Sequence, residues 1–234
     1  MARPTDASAA PADREPRPRP APLPVSPPPW AGLPGTPLPR AVREPDARFL
    51  DVLRARRSAP GDGSLLPVDL ASVLWHATLV RERRPASARF AAWESRAAPS
   101  AGGLHVVTLL CLPLDRGLPA GVHDPARHAV AALPGCAEAA LAANAASVAE
   151  IIGVHRGVTL QFAADMARAE ASYERAESLV WRDAGALAAV LALVAEALGL
   201  AATPLGRTGQ TVIRAAGLEA PRWKAVGAVH LTSR

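Results

Sequence analysis

"RAAPSAGGLHVV", residues 96–107, decides the reading of this chain. A proline, a serine and the glycine pair Gly102–Gly103 stand directly before the apolar run "HVVTLLCLPL". The run is short, β-branched at its start and closed by proline, which predicts a buried strand. A strand has no use for two glycines ahead of it, because glycine is costly to order and packs nothing. Side chains are missing here so that something can approach the backbone closely.

Outward from this point the chain alternates helical and extended patterns. "PDARFLDVLRARRSAPGDG" predicts a helix capped by Asp46, with Phe49, Val52 and Leu53 inward and a stop at Pro60–Gly61. "PVDLASVLWHATLV" repeats the pattern, with Leu70, Val73, Leu74 and Leu79 on the inner side. Residues 81–98 are charged and irregular. After the strand, "RGLPAGVHDPARHAVAALPG" reads as turns and short hairpin strands. "CAEAALAANAASVAEIIG" is a helix closed by Gly153, and "RGVTLQFAADM" is a second strand. "ARAEASYERAE" and the nearly all-apolar "RDAGALAAVLALVAEALGL" predict two further helices, the second buried. A short helix at "QTVIRAAGL" and a last strand, "KAVGAVHLTS", complete the pattern. The order implies an α+β fold rather than a doubly wound sheet.

Of 24 prolines in 234 residues, fourteen lie in residues 1–45, a segment without apolar period. It reads as a disordered, extended arm, which leaves residues 46–234 as one domain. No apolar signal core precedes it, and the longest apolar stretch, broken by Glu196, falls short of a bilayer span. Cys111 and Cys136 are far apart, so neither a disulfide framework nor a zinc site is expected, and the expected setting is cytoplasmic. The net charge of +5 rests on 25 arginines and one lysine, without interleaved aromatic residues. That distribution argues against nucleic acid as a partner.

The motifs of several familiar enzymes are missing. There is no G-x-S-x-G, no G-x-G-x-x-G after a strand, and "GRTGQT" (206–211) lacks the G-K-[ST] of a phosphate loop. His123 and His128 have no third ligand nearby, so no metal is expected. Three stretches could carry chemistry. Arg56, Arg57 and Ser58 can grip a phosphate, although cations also sit well at any helix C-terminus. Pro99, Ser100, Ala101, Gly102 and Gly103 can meet a planar ligand, or simply turn a loop into a strand. Tyr173, the only tyrosine, can act as a general acid or base, or pack at a helix edge with its hydroxyl in water.

Taken in order, these stretches resemble the FMN-binding nitroreductase-like superfamily. "FLDVLRARRS" is similar to its opening helix and R-R-S flavin contact. "RAAPSAGGLH" and "GVHDPARHAVAAL" resemble the R-x-x-P-S-x-G-x-L-[HY] and Y-x-[YH]-D-P-x-x-H-x-L segments of one branch, the SagB-like dehydrogenases of azole-peptide biosynthesis. "YERAESLVWRDAGALAAVLALVAEALGLAATPLG" looks like that branch's tyrosine-bearing helix, interface helix and flavin loop. The resemblance implies a central antiparallel sheet flanked by helices, with FMN at the interface of a homodimer or heterodimer. It implies that Arg56, Arg57 and Ser58 hold the phosphate and ribityl chain, with Arg234 as a further phosphate contact. Pro99 to Gly103 would line the isoalloxazine, and Leu205 and Gly206 would meet the ring from the other side. It also implies oxidation of thiazoline or oxazoline rings in a modified precursor peptide, alongside its cyclodehydratase, with Tyr173 as base. Ser172 stands where the branch carries lysine, and Arg175 is the nearest cation in sequence. A nitro, quinone or enone reductase driven by NAD(P)H and a catalytically reduced partner subunit are the alternative activities.

Overall fold

A computed structural model describes residues 15–234. Its strands are β1 (Arg17–Pro18), β2 (Gly35–Pro37), β3 (Glu82–Arg84), β4 (Trp93–Ser95), β5 (Val107–Pro113) and β6 (Gly121–Asp124). After them come β7 (Ala129–Ala131), β8 (Val158–Asp165), β9 (Tyr173–Glu174), β10 (Leu200–Leu205) and β11 (Trp223–Ser233). The helices are α1 (Phe49–Ala55), α2 (Pro67–Thr78), α3 (Ala137–Ile152), α4 (Met166–Ser172), α5 (Glu177–Ala197) and α6 (Gln210–Ala215).

Seven strands form one antiparallel sheet in the order β10-β11-β8-β5-β6-β7-β2. Every residue of β8 is buried, so helices must cover both faces. The period of two in β5 sorts its side chains. Leu109 and Cys111 join Leu160, Phe162 and Leu231 beneath Leu70 and Leu74 of α2 and Leu191 of α5. Leu110 and Leu112 point the other way, to Ala140 of α3 and Ile213 of α6. The sheet is the middle layer of three.

Several predicted elements fall where expected: α2, α3 with Gly153 at φ 67°, the β6–β7 hairpin strands, α6 and β11. Others differ. The opening helix begins at Phe49 and has no side-chain cap, and only Val52 is buried, while Phe49, Leu50 and Leu53 face solvent. Residues 81–98 contain the β3–β4 hairpin. Helix α4 stops at Ser172, so Tyr173 lies on a short extended segment and not on a helix. Helix α5 is 21 residues long and apolar enough by length and composition to cross a membrane. It packs against α1, α2, β10 and β11, yet Trp181, Gly185 and Ala189 remain exposed along one side. It is therefore half-covered rather than buried all round.

The described part of the proline-rich segment, residues 15–45, is extended as expected but not disordered. Proline lacks an amide donor, so it is tolerated only at a sheet edge, and β2, with Pro37, takes that edge beside β7. Arg222 donates to the carbonyls of Ser26 and Pro27 at 2.8 and 3.2 Å, Trp30 stacks on Trp223, and Leu38 is buried. Strand β1 pairs with β9, and the Arg43 guanidinium reaches Asp69 at 2.5 Å. Trp30→Ala should free this segment without unfolding the domain. Loss of an aromatic pair worth roughly 1 kcal/mol, plus its burial, is expected to speed tryptic cleavage after Arg40, which precedes Ala41, about tenfold; unchanged cleavage with the ring removed would contradict it.

Candidate active site

The glycine loop between β4 and β5 is held by a single carboxylate. Asp183, in the middle of α5, accepts from the Ser100 hydroxyl at 2.6 Å and from the Ala101 amide at 3.0 Å. The same Ser100 oxygen accepts from the His105 amide at 2.9 Å, which closes the loop into a tight turn. Gly102 and Gly103 sit in the left-handed region at φ 58° and 61°. A Cβ on Gly102 would lie 2.7 Å from the Tyr173 hydroxyl, and one on Gly103 would strike the Trp93 ring. Side chains are missing here because two aromatic rings of the same chain press on the loop.

Tyr173 is half-buried where α4 ends and packs on the main core. Together with Gly102, Trp93, Phe90, Pro18 and Arg19 it lines a cavity of about 490 Å³. Residues 17–23 form part of its wall, fixed by the Arg19 amide to the Ser172 carbonyl and the Leu23 amide to the Ala171 carbonyl, both at 2.9 Å. Arg175, at φ 55°, is exposed and does not line this cavity; Arg19, Arg84 and Arg89 do.

The arginine pair lies elsewhere. Arg57 donates to the carbonyls of Arg54 and Arg56 at the end of α1, and Arg56 donates to the Ser58 hydroxyl at 3.1 Å. Among the described residues neither has a carboxylate partner. Arg57 and Arg234 line one open groove of about 640 Å³ with Gly61 and Ala201, and Arg234 is ion-paired with Glu196. This groove and the Tyr173 cavity share no lining residue. Leu205 is buried at the end of β10, and open space surrounds Gly206. One chain thus brings Tyr173 to Gly102 and Arg57 to Arg234, but these two pairs line separate cavities.

Sequence reasoning passed over Asp183, Trp93 and His105. Asp183 did leave a signal: it is the only acid between Glu177 and Glu196 in an otherwise apolar helix. His105, at φ 47°, sets its Nε2 3.0 Å from the Glu94 carbonyl oxygen. Burial, and then the Arg96 charge, lower its pKa. Burial alone would raise Glu94, but Arg96 and Arg83 outweigh it and hold the carboxyl below the usual range.

No protein-family model and no curated protein matches the sequence. Solved structures do. A protein of Ralstonia eutropha JMP134, provisionally assigned as a nitroreductase, aligns with a TM-score of 0.56 at 20% identity, over 86% of this chain and 95% of its own. One chain of the McbBCD microcin synthetase complex of E. coli, with truncated pro-MccB17 bound, aligns with a TM-score of 0.59 at 13% identity, over 84% of this chain and 76% of that chain. A provisionally assigned nitroreductase of Exiguobacterium sibiricum, in complex with FMN, gives 0.52 at 14% identity, over 81% and 90%. The chain has the nitroreductase fold.

Burial also makes this region sensitive to acid. It lowers the pKa of His105, His128 and His230, and it pushes His123 down to about 3, assisted by His128 and Arg96. An unfolded chain binds these protons near pH 6.5, whereas the folded chain refuses them. Stability is therefore full above pH 6.5 and is lost as pH falls from there toward 3. His123 alone should cost about 2 kcal/mol between pH 6.5 and 5, at about 1.4 kcal/mol per pH unit. Denaturant midpoints across that range check this; a flat profile would refute it.

Proposed function

We propose that this chain is an FMN-dependent oxidoreductase that converts thiazoline or oxazoline rings in a ribosomally made peptide to thiazole or oxazole. The observation that carries the reading is the Tyr173 hydroxyl set against the left-handed Gly102 in the wall of a proline- and aromatic-lined cavity. Likeness to the McbBCD complex, which holds a precursor peptide, supports the peptide substrate, and likeness to FMN-bound structures supports the cofactor. A cyclodehydratase that forms the azoline is then the partner enzyme.

The residues present fit a flavin mononucleotide. Arg57 lines the open groove beside Arg234 without a carboxylate of its own, which suits a phosphate. Gly102 lines the Tyr173 cavity as backbone alone, which leaves room in that cavity for a planar ring beside Trp93. These halves line separate cavities, so the flavin would be held between two copies, by Arg56, Arg57, Ser58 and Arg234 of one and Pro99 to Gly103 of the other. The exposed apolar residues of α1 (Phe49, Leu50, Leu53) and of α5 (Trp181, Gly185, Ala189) give the second copy a face to cover. When bound, FMN supplies a two-electron acceptor for hydride.

The chain's own task is the proton. Tyr173 takes it from the ring carbon that was Cα, while the hydride leaves from the neighbouring ring carbon and aromaticity is gained. An ordinary phenol keeps its proton at neutral pH and is a weak base there, and Ser172 supplies no ammonium beside it. Arg19 lines the same cavity, with its guanidinium paired to Glu174 at 3.2 Å. A subunit with little activity of its own is the second reading, and the observation that favours it is Ser172.

Two variants test these roles. Arg57→Glu should lose FMN, because like charge would face the phosphate; flavin absorbance between 350 and 500 nm in the purified variant would count against the groove. Tyr173→Phe should retain FMN and slow azole formation about 10²–10⁴-fold, the usual worth of a general base. Undiminished azole yield by mass spectrometry would remove Tyr173 as the base.

A further inference from the structure

A third cavity, of about 400 Å³, opens beside Pro99 and Ser100 and shares no lining residue with the Tyr173 cavity or the Arg57 groove. Its wall is completed by the N-terminal segment, with Trp30 and Gly32 facing β5 and β6. Three arginines line it, Arg96, Arg127 and Arg168, against two aspartates, Asp124 and Asp183. Four of these five are already committed. Arg127 is bound to Asp124 at 2.6 Å, Arg96 to Glu94, and Asp183 to Ser100 and Ala101.

Arg168 is the exception. Half-buried, its guanidinium makes no hydrogen bond or ion pair with any described residue. The carboxylates within reach of its charge, Glu94 and Asp165, are held by Arg83 and Arg96 and by Arg222. A second orphan lines the same cavity: His123, 4% exposed, whose Nε2 has no partner. A partly desolvated cation and a buried imidazole left unsatisfied in one cavity mark a place where a ligand atom completes the hydrogen bonding. Trp30, Leu109 and Leu187 supply apolar wall beside them.

We propose that this cavity binds a small organic oxyanion, a carboxylate or a phosphate monoester on an apolar or aromatic body. Arg168 binds the anionic head, His123 completes its hydrogen bonds, and the apolar wall takes the body. Pro99 and Ser100 are shared with the wall assigned to the flavin ring, whereas Arg168 and His123 are not, and the volume suits one aromatic ring with its acid group.

Isothermal calorimetry on the full chain at low salt, with benzoate and phenyl phosphate as probes and benzyl alcohol as the neutral control, tests it. At least one oxyanion should bind and the alcohol should not, with binding weakened at least tenfold in Arg168→Gln and retained in Arg57→Glu. Binding of benzoate alone identifies a carboxylate ligand, and of phenyl phosphate alone a phosphate ester. Failure of both, or equal binding by Arg168→Gln, overturns the proposal. Should Arg168→Gln not fold, the ring resonances of His123 in the unaltered protein decide: a shift on titration supports the site, and its absence refutes it. Because Arg57→Glu is expected to lose FMN, oxyanion binding by that variant separates this site from the flavin reading.

Discussion

The bond from Asp183 to Ser100 and Ala101 is the constraint on which the rest of the site depends. It joins the longest helix to the glycine loop and holds the one acid that lies between Glu177 and Glu196 of that helix. A carboxylate accepting a hydroxyl and a backbone amide is satisfied in place, so the charge needs no water. With the loop fixed at that point, Gly102 and Gly103 must turn left-handed, and Tyr173 and Trp93 can close on them. Without the clamp, a loop this poor in side chains would keep only the His105 contacts and the packing of Tyr173 and Trp93.

Around that joint the fold is organised by the alternation in β5. Leu109 and Cys111 build one core, Leu110 and Leu112 the other, and the helices distribute accordingly. This much was legible in the sequence, because a short apolar run between glycine and proline, flanked by helical periods, has few other solutions. The α+β class and most elements follow from it. The glycine loop was legible too, as a place of close approach, though not which groups approach.

What escaped notice depends on contacts between distant residues. The helical pattern of "ARAEASYERAE" is sound locally, but Tyr173 pairs with Pro18, some 155 residues earlier, and that pairing pulls it off the helix. Phe49 and Leu53 have helical spacing but remain exposed among the described residues, so periodicity alone pointed them inward. Composition misjudged the proline-rich segment in the same way. Its backbone is extended because proline makes it so, while Arg222, Trp223 and β7 give it fixed neighbours that no local rule registers. Arg168 carries no motif, and His123 stood out only as a histidine of the D-P segment without a third metal ligand; their shared lack of partners is what joins them.

The placing of β2 has one more consequence. As the seventh strand it caps the amide row of β7, and its own outer edge is guarded by the kinked backbone around Pro34, Pro37 and Pro39. A shortened protein beginning after residue 45 would present β7 bare, as an adhesive rim for another molecule's strand. The low-complexity look of the first residues thus conceals a selvedge, the woven border that keeps the fabric of the sheet from fraying into aggregates.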